Sequence, residues 1–268
     1  MKTQKVSFSL LIPMILTFVL LACGALAPLP TSTSTPAPTD TPQPSATITP
    51  TATNTPRPSP TPRPTKTPNL AATQHMEEFN SRTQSYFEKG YLTTGDGKIK
   101  EFDDFAYDWA QLNWYNWLPL GEEVSDFYLS AHVKWSSAYR NADVSGCGFI
   151  FAIQENRDHY AVFLDHSKIL FLNSDQTSGY SRPVGLTRGT GRVQFDNPAD
   201  SAQEADFTII VKGIYTYVLV DDEVVGEYTL AKSKVLRGDI GLSLLSGTNK
   251  DYGTRCEMTD IHLWIPDK

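Results

Sequence analysis

The sequence is poor in the groups from which reactive sites are built. Three cysteines occur in 268 residues, at positions 23, 147 and 256. The five histidines, at 75, 132, 159, 166 and 262, show neither HxH nor HExxH spacing, so metal catalysis of the zinc type finds no ligand pattern. Basic residues are scarce once the first 68 positions are set aside. From residue 69 onward there are 18 Lys and Arg against 29 Asp and Glu, and 18 − 29 = −11 disfavours phosphate-backbone partners and extended contact with anionic lipid. Nucleic-acid binding is therefore excluded as a function class. Proline is almost missing from the same region, because 13 of the 18 prolines lie between Pro28 and Pro68. What remains is a stretch of about 200 residues, long enough to bury one substantial core and read here as one domain.

The one long apolar run stands near the start. Lys2 and Lys5 precede residues 6–22, 17 positions interrupted only by Ser7, Ser9, Pro13 and Thr17, which is the pattern of a secretory signal. The Leu20-Leu21-Ala22-Cys23 that ends it resembles the bacterial lipobox, and the resemblance implies that Cys23 receives diacylglycerol and becomes the mature N-terminus. A membrane helix with an incidental cysteine competes with this, since 17 residues sit at the lower limit for spanning a bilayer. The lipoprotein reading is preferred. It makes the bilayer a partner through acylated Cys23, each buried CH₂ contributing roughly 0.8 kcal/mol. The location expected is the cell membrane, with the protein facing its extracellular or periplasmic side.

Residues 31–68 hold 13 Thr, 4 Ser and 11 Pro, so 28 of 38 positions belong to three residue types that cannot form a core. At about 3.1 Å per residue in polyproline II, this spacer reaches on the order of 100 Å when extended. A PxxP-type ligand for another protein is the alternative, with Arg57, Arg63 and Lys66 flanking the proline steps. The domain plan is a signal peptide over 1–22, a disordered spacer over 23–68 and a folded domain over 69–268.

The folded part alternates like a β protein. In residues 126–135, Phe127, Leu129, Ala131, Val133 and Trp135 alternate with Tyr128, Ser130, His132 and Lys134, which predicts a strand with one packed face and one wet face. Phe207, Ile209 and Val211 repeat the pattern. Residues 256–265 do so with a phase slip near Asp260 that predicts a bulge. Further strands are predicted over 98–105, 147–154, 159–165, 168–172, 214–220, 223–228 and 239–245, with a hairpin turn at Asp221-Asp222 and helical periodicity only over 70–89. Antiparallel strands without alternating helices make an all-β sandwich of two sheets. The segments Asp126-Phe127-Tyr128-Leu129, Gly146-Cys147-Gly148-Phe149-Ile150-Phe151 and Asn156 to Leu164, with Tyr217 to Val225 and Gly238 to Leu242, resemble the concanavalin A-like, laminin G-like jelly-roll domain of bacterial surface proteins. The resemblance covers about 120–266. It implies an antiparallel jelly-roll sandwich, but lectins, adhesion modules, glucanases and a group labelled 3-keto-disaccharide hydrolases share that architecture, so it does not choose an activity.

The glucanases of that group carry two glutamates on one face of a strand, as Glu-x-Asp-x-Glu or Glu-x-Asp-x-x-Glu. No such triplet occurs, Glu101-Phe102-Asp103-Asp104 and Asp221-Asp222-Glu223 being the nearest. The function expected is therefore a non-catalytic domain binding a carbohydrate or another wall or matrix polymer. A glycosidase-like hydrolase of small sugars and a protein-binding adhesion or scaffold module are the alternatives. No cofactor is expected. Laminin-type domains often hold a calcium ion, however, and Asp143, Asp165, Asp175, Asp251 and Asp260 are loop carboxylates that such an ion would use. The strongest local anomaly is residues 107–117, with three of the five tryptophans, Trp109, Trp114 and Trp117, interleaved with Asn113, Tyr115 and Asn116. Flat rings beside amides suit the apolar face and hydroxyl rim of a sugar, whereas rings capping an open end of the sandwich would be core. On one strand, Trp109 and Trp117 would share a face and Trp114 would take the other. Trp109 is expected to be core, and one of Trp114 and Trp117 exposed. Cys147 and Cys256 are either two buried thiols, the reading preferred because their strands need not be neighbours, or a disulfide in an exported protein. The chain is expected to be a monomer.

Overall fold

The computed structural model describes residues 70–139, 144–195 and 201–267, the first five by their backbone only. Cys23, the spacer and Asp143 lie outside the described residues. One helix leads, α1 (Leu70–Glu88), followed by β1 (Gly97–Phe102), β2 (Phe105–Trp109), β3 (Trp114–Pro119), β4 (Phe127–Ser137), β5 (Gly146–Ile153), β6 (His159–Leu164), β7 (Ile169–Asp175), β8 (Tyr180–Pro183), β9 (Leu186–Gly189), β10 (Gln203–Lys212), β11 (Tyr215–Val220), β12 (Glu223–Thr229), β13 (Asp239–Ser246) and β14 (Thr254–Pro266). They form two antiparallel sheets. The eight-stranded sheet runs β1-β14-β4-β10-β11-β12-β9 with β2 also on β14, and the six-stranded sheet runs β3-β13-β5-β6-β7-β8. This is the all-β, two-sheet jelly-roll sandwich that the alternation implies.

The inward residues of both sheets make the core. Phe127, Leu129, Val133 and Trp135 of β4 and Phe207, Ile209 and Val211 of β10 face Phe149 and Phe151 of β5, Val162 and Leu164 of β6, and Leu242 and Leu244 of β13. Phe149 and Phe207 stack across the gap with ring centroids 5.0 Å apart. Each such side chain contributes about 1.5–3 kcal/mol by leaving water.

Cys147 and Cys256 are bonded, with Cα atoms 5.5 Å apart, and both are fully buried. This corrects the expectation of two free thiols. β5 and β14 are indeed not hydrogen-bonded neighbours, but they belong to opposite sheets and face each other through the core. A disulfide needs Cβ atoms that point at each other and no shared ladder.

The turn signals hold. Asp221 and Asp222 adopt φ of 50° and 64°, as a two-residue hairpin with matched twist requires. Asp260 has φ 51°, and the β14–β4 register shifts between Thr259 and His262, which is the anticipated bulge. The stretch 98–105 is split, β1 ending at Phe102 and β2 starting at Phe105. β8 and β9 were not anticipated, because all their residues are exposed and carry no apolar alternation.

The wet-face expectation for β4 fails over its first half. Tyr128 and Ser130 are buried because α1 lies on that side of the eight-stranded sheet. Phe79 and Tyr86 of α1, with Leu92 beyond it, pack on Tyr128, Ile210, Leu219 and Trp264, and Phe79 stacks on Tyr128 at 4.8 Å. The Tyr86 hydroxyl donates to Asp222 Oδ1 at 2.6 Å, pinning the helix to the β11–β12 turn. Beyond the helix, Lys134 returns to solvent.

The bond between the sheets closes a loop whose ends are 109 residues apart, worth roughly 4.7 kcal/mol on the chain-entropy view. A Cys147→Ala/Cys256→Ala chain is expected to melt about 5–20 °C lower than wild type by calorimetry, at the few degrees per kcal/mol typical of a domain this size. A melt within 2 °C of wild type would show that the bond adds nothing to the packed core.

Candidate functional site

The six-stranded sheet also has an outer face, and no helix covers it among the described residues. Ile150, Ala161, Phe163 and Leu245 lie buried in it, with Tyr115, Trp117, Ile153, Leu170 and Leu172 half-buried around them. The shape of this face follows from one row of residues. Trp117 on β3 registers with Ser243 on β13, Ser243 with Gly148 on β5, and Gly148 with Phe163 on β6. Three strand spacings, about 14 Å, separate the ends of the row, and its middle is nearly empty of side chain. A Cβ on Gly148 would stand 2.3 Å from Phe163 Cδ1, so only glycine fits there. Large rings therefore lean inward over a shallow trough.

Tyr115 and His159 meet across this trough. Tyr115 Oη lies 2.7 Å from His159 Nε2, and His159 Nδ1 lies 2.7 Å from the Arg157 carbonyl oxygen. A carbonyl only accepts, so Nδ1 carries the proton and donates, and Nε2 accepts from the tyrosine hydroxyl. The Trp117 ring centroid is 5.0 Å from His159 and 5.9 Å from Tyr115, and Tyr115 is 5.2 Å from Phe163. The Arg157 guanidinium carbon lies 4.9 Å from the Trp117 ring centroid.

Beside these rings opens a cleft of about 710 Å³ that His159 also lines. Its wall comes from the ends of β5, β6 and β13 and from the loop between β12 and β13. Two non-glycine residues there have left-handed backbone, Ala152 with φ 54° and Arg157 with φ 67°, and the β13–β5 register shifts between Asp239 and Gly241. The bulge turns Gln154 to donate to the carbonyls of Ala152 and Arg237, at 3.0 and 2.8 Å. Gly238 is required against it, since a Cβ would lie 2.5 Å from the Ile153 carbonyl oxygen.

Most charge in the cleft is already matched. Lys234 Nζ is 3.1 Å from Asp158 Oδ2, and the Gln176 amide donates to Asp158 Oδ1 at 2.9 Å. That backbone bond, with Lys234, holds the Asp158 carboxyl below the usual carboxylate range. Asp239 Oδ1 accepts from the Glu122 and Ile240 amides at 2.9 and 2.7 Å, and Arg237 Nη2 is 3.4 Å from Glu123 Oε2. Asn173 contributes a buried Oδ1 with no partner, and Asn156 and Gln154 add amide edges. Uncharged polar groups thus converge beside aromatic rings.

The aromatic segment is divided by the fold. Trp109 sits in β2 of the eight-stranded sheet, half-buried against the main core, while Trp114 and Trp117 sit in β3 of the other sheet. Asn113, with φ 58°, turns the chain between them, so the parity argument that joined Trp109 to Trp117 does not apply. Within β3, Tyr115 and Trp117 take the outer face. Trp114 and Asn116 take the other by alternation, and Trp114 is 61% exposed. Asn116 Oδ1 accepts from the Trp117 amide at 3.0 Å and its Nδ2 donates to the Tyr107 hydroxyl at 3.4 Å, so its amide braces the seam between sheets. Of the five residues read as a platform, two remain on the candidate face. Gln154, Arg157 and His159 at the β5–β6 turn, with Asn173 of β7 and Lys234 of the β12–β13 loop, were missed, because no spacing of residue types marks that turn as a site and the other two join it only in the fold.

Among the described residues the candidate calcium ligands do not gather. Asp165 is buried, and its Oδ1 accepts from the Ser167 and Lys168 amides at 2.8 Å each; burial pushes its carboxyl up. Asp175 caps Thr177 and Ser178, and Asp260 meets His75. Among the described residues no three His, Cys, Asp or Glu side chains stand where they could hold a metal ion.

Fold and face together define a jelly-roll sandwich with one sheet roofed by a helix and the other carrying an open aromatic surface beside a polar cleft. No family model and no curated protein matches the chain. Among solved structures it is similar to the carbohydrate binding module CBM66 from Bacillus subtilis, with a TM-score of 0.42 and 11% identity over 61% of this chain and 92% of that one. It is also similar to a fructosyltransferase from A. japonicus, with a TM-score of 0.43 and 14% identity over 67% of this chain but 28% of that one. A third is a β-glucanase from Bacillus licheniformis, with a TM-score of 0.39 and 8% identity over 55% and 69%. Identities this low transfer no residue roles.

Burial, and behind it the nearby charges of Arg157 and Lys234, pushes the His159 imidazole below its usual value, against the pull of the Arg157 carbonyl and Asp158. The unfolded chain takes up the proton near the ordinary value of about 6.5 while the folded chain resists it. The stabilising contribution is therefore full above that value and is lost as pH falls towards the depressed one. The melting-temperature difference between wild type and His159→Gln should narrow from pH 7.5 to pH 5. A difference independent of pH would mean that the ring is not held neutral by its surroundings.

Proposed function

We propose that this chain is an exported, lipid-anchored protein whose jelly-roll domain binds a glycan on the outer face of its six-stranded sheet, without turning it over. One observation carries the reading: Tyr115 and Trp117 stand half-buried on a sheet face that no helix covers among the described residues, beside a cleft lined in part by the Gln154, Asn156 and Asn173 amides. Such a surface suits a sugar, apolar on its ring face and hydroxylated at its rim. Binding is favoured over hydrolysis because glycosidases need one carboxyl held protonated beside one ionised. Asp158, at the cleft, is shifted the other way and engaged by Lys234 and Gln176.

The export and anchor belong to the same proposal, resting on the Leu20-Leu21-Ala22-Cys23 motif and the Thr/Pro-rich spacer. Among the described residues no helix is long and apolar enough to cross a membrane. The acyl groups on Cys23 would hold the protein at the bilayer, and the spacer would set the sandwich on the order of 100 Å away.

On a glycan array, Trp117→Ala is expected to weaken binding about tenfold, corresponding to roughly 1.4 kcal/mol, while Trp114→Ala, on the opposite face of β3, leaves it unchanged. High salt should spare the Trp117 contribution, since stacking is apolar. Equal losses in both variants, or none in Trp117→Ala, would place binding elsewhere.

In a host that processes lipoproteins, Cys23→Ser should lose labelled fatty acid and leave the membrane fraction. Unchanged labelling would refute the anchor.

A further inference from the structure

Three cations stand beside the cleft and the aromatic face, and they are used differently. Lys234 is matched by Asp158 and Arg237 by Glu123, at 3.1 and 3.4 Å. Arg157 pairs with no carboxylate among the described residues; it is exposed and lies over Trp117.

Its position is held from both sides of the backbone. The Arg157 amide donates to the Gln154 carbonyl at 2.8 Å, the Gln154 amide donates to the Asp158 carbonyl at 2.9 Å, and the Arg157 carbonyl accepts from His159. These bonds keep a non-glycine residue at φ 67°, a strained conformation that persists only where the surroundings enforce it. What the strain secures is the direction of the side chain. A guanidinium laid on an indole is attracted through its face and keeps its in-plane N–H donors free, arranged as the fork that receives two oxygens of one oxyanion. A neutral sugar offers those donors only hydroxyl oxygens, weaker acceptors than an oxyanion, and must share the Trp117 ring with them. A sugar bearing an acidic group uses both.

We propose that Arg157 is the specificity-determining residue of this site and that the preferred glycan carries an isolated oxyanion, a uronate carboxylate or a sulfate ester, received at the guanidinium edge while its ring lies on the aromatic face. This rests on the outer face being a glycan site. The anion is isolated because the surroundings reject a polyanion: residues from 69 onward carry a net 18 − 29 = −11, and Glu155 adds an exposed carboxylate to the cleft. At physiological ionic strength the repulsion fades within about 8 Å, so one close contact survives where a row of charges does not.

The test uses the full chain on an array of matched oligosaccharide pairs that differ by one carboxylate or by one sulfate. The acidic member of some pair is expected to bind at least tenfold tighter than its neutral twin, with the carboxylate and sulfate pairs showing which oxyanion is read. Arg157→Asn, whose side chain tolerates positive φ, should erase the preference, so that acidic and neutral twins bind alike whatever their common affinity, and Arg157→Lys should keep part of it. Raising salt from 50 to 500 mM should shrink the preference in wild type only. If neutral and acidic twins bind alike, or Arg157→Asn keeps the preference, this inference falls and the glycan site stands. If no glycan of any pair binds, the glycan reading falls and takes the inference with it.

Discussion

The contact on which the rest depends is the one between the sheets. Phe149 stacks on Phe207 there, and the Cys147–Cys256 bond crosses the same interface. Once the inward faces are committed, alternation forces every second residue of each strand outward. The fold is then left with two outer faces, and it treats them in opposite ways. On the eight-stranded sheet the outward residues Tyr128, Ile210, Leu219 and Trp264 are too apolar to meet water, and α1 covers them. On the six-stranded sheet Tyr115, Trp117 and Phe163 are equally apolar, and no helix among the described residues does the same. An uncovered face of this kind is the usual mark of an interaction surface.

What was legible from the sequence follows from how local each feature is. Strand alternation, the Asp221-Asp222 turn and the slip at Asp260 are encoded within a few residues, and all three are found. β8 and β9 pair through backbone alone, and nothing in their exposed side chains marks them. The burial of Tyr128 depends on a helix some 40 residues upstream, which no period-two pattern in β4 can carry, although the aromatic residue in a wet phase was the visible trace. The disulfide shows the same limit from the other side. Sequence neighbourhood speaks to ladders, and this bond spans layers.

The site was half legible for the same reason. The cluster of rings between 107 and 117 was visible, but treating it as one strand merged residues that belong to two sheets. The turn at Asn113 separates them and leaves Trp109 half-buried against the main core. The partners that give Trp117 its surroundings were invisible: Ser243 and Gly148 reach its row through register, and the His159 ring approaches it from the start of β6.

That arrangement also orders the face in the free protein. Exposed aromatic side chains ordinarily lose rotamer freedom when a ligand arrives, at about 0.5–1.5 kcal/mol each. Here Tyr115 is already fixed by its hydrogen bond to His159, His159 by the Arg157 carbonyl, and Trp117 by the ring on one side and the guanidinium near it. The chain of contacts begins at a strained backbone position and ends at the ring that a sugar would meet. The folding of the domain therefore bears the cost of ordering this surface, and a ligand finds it in place.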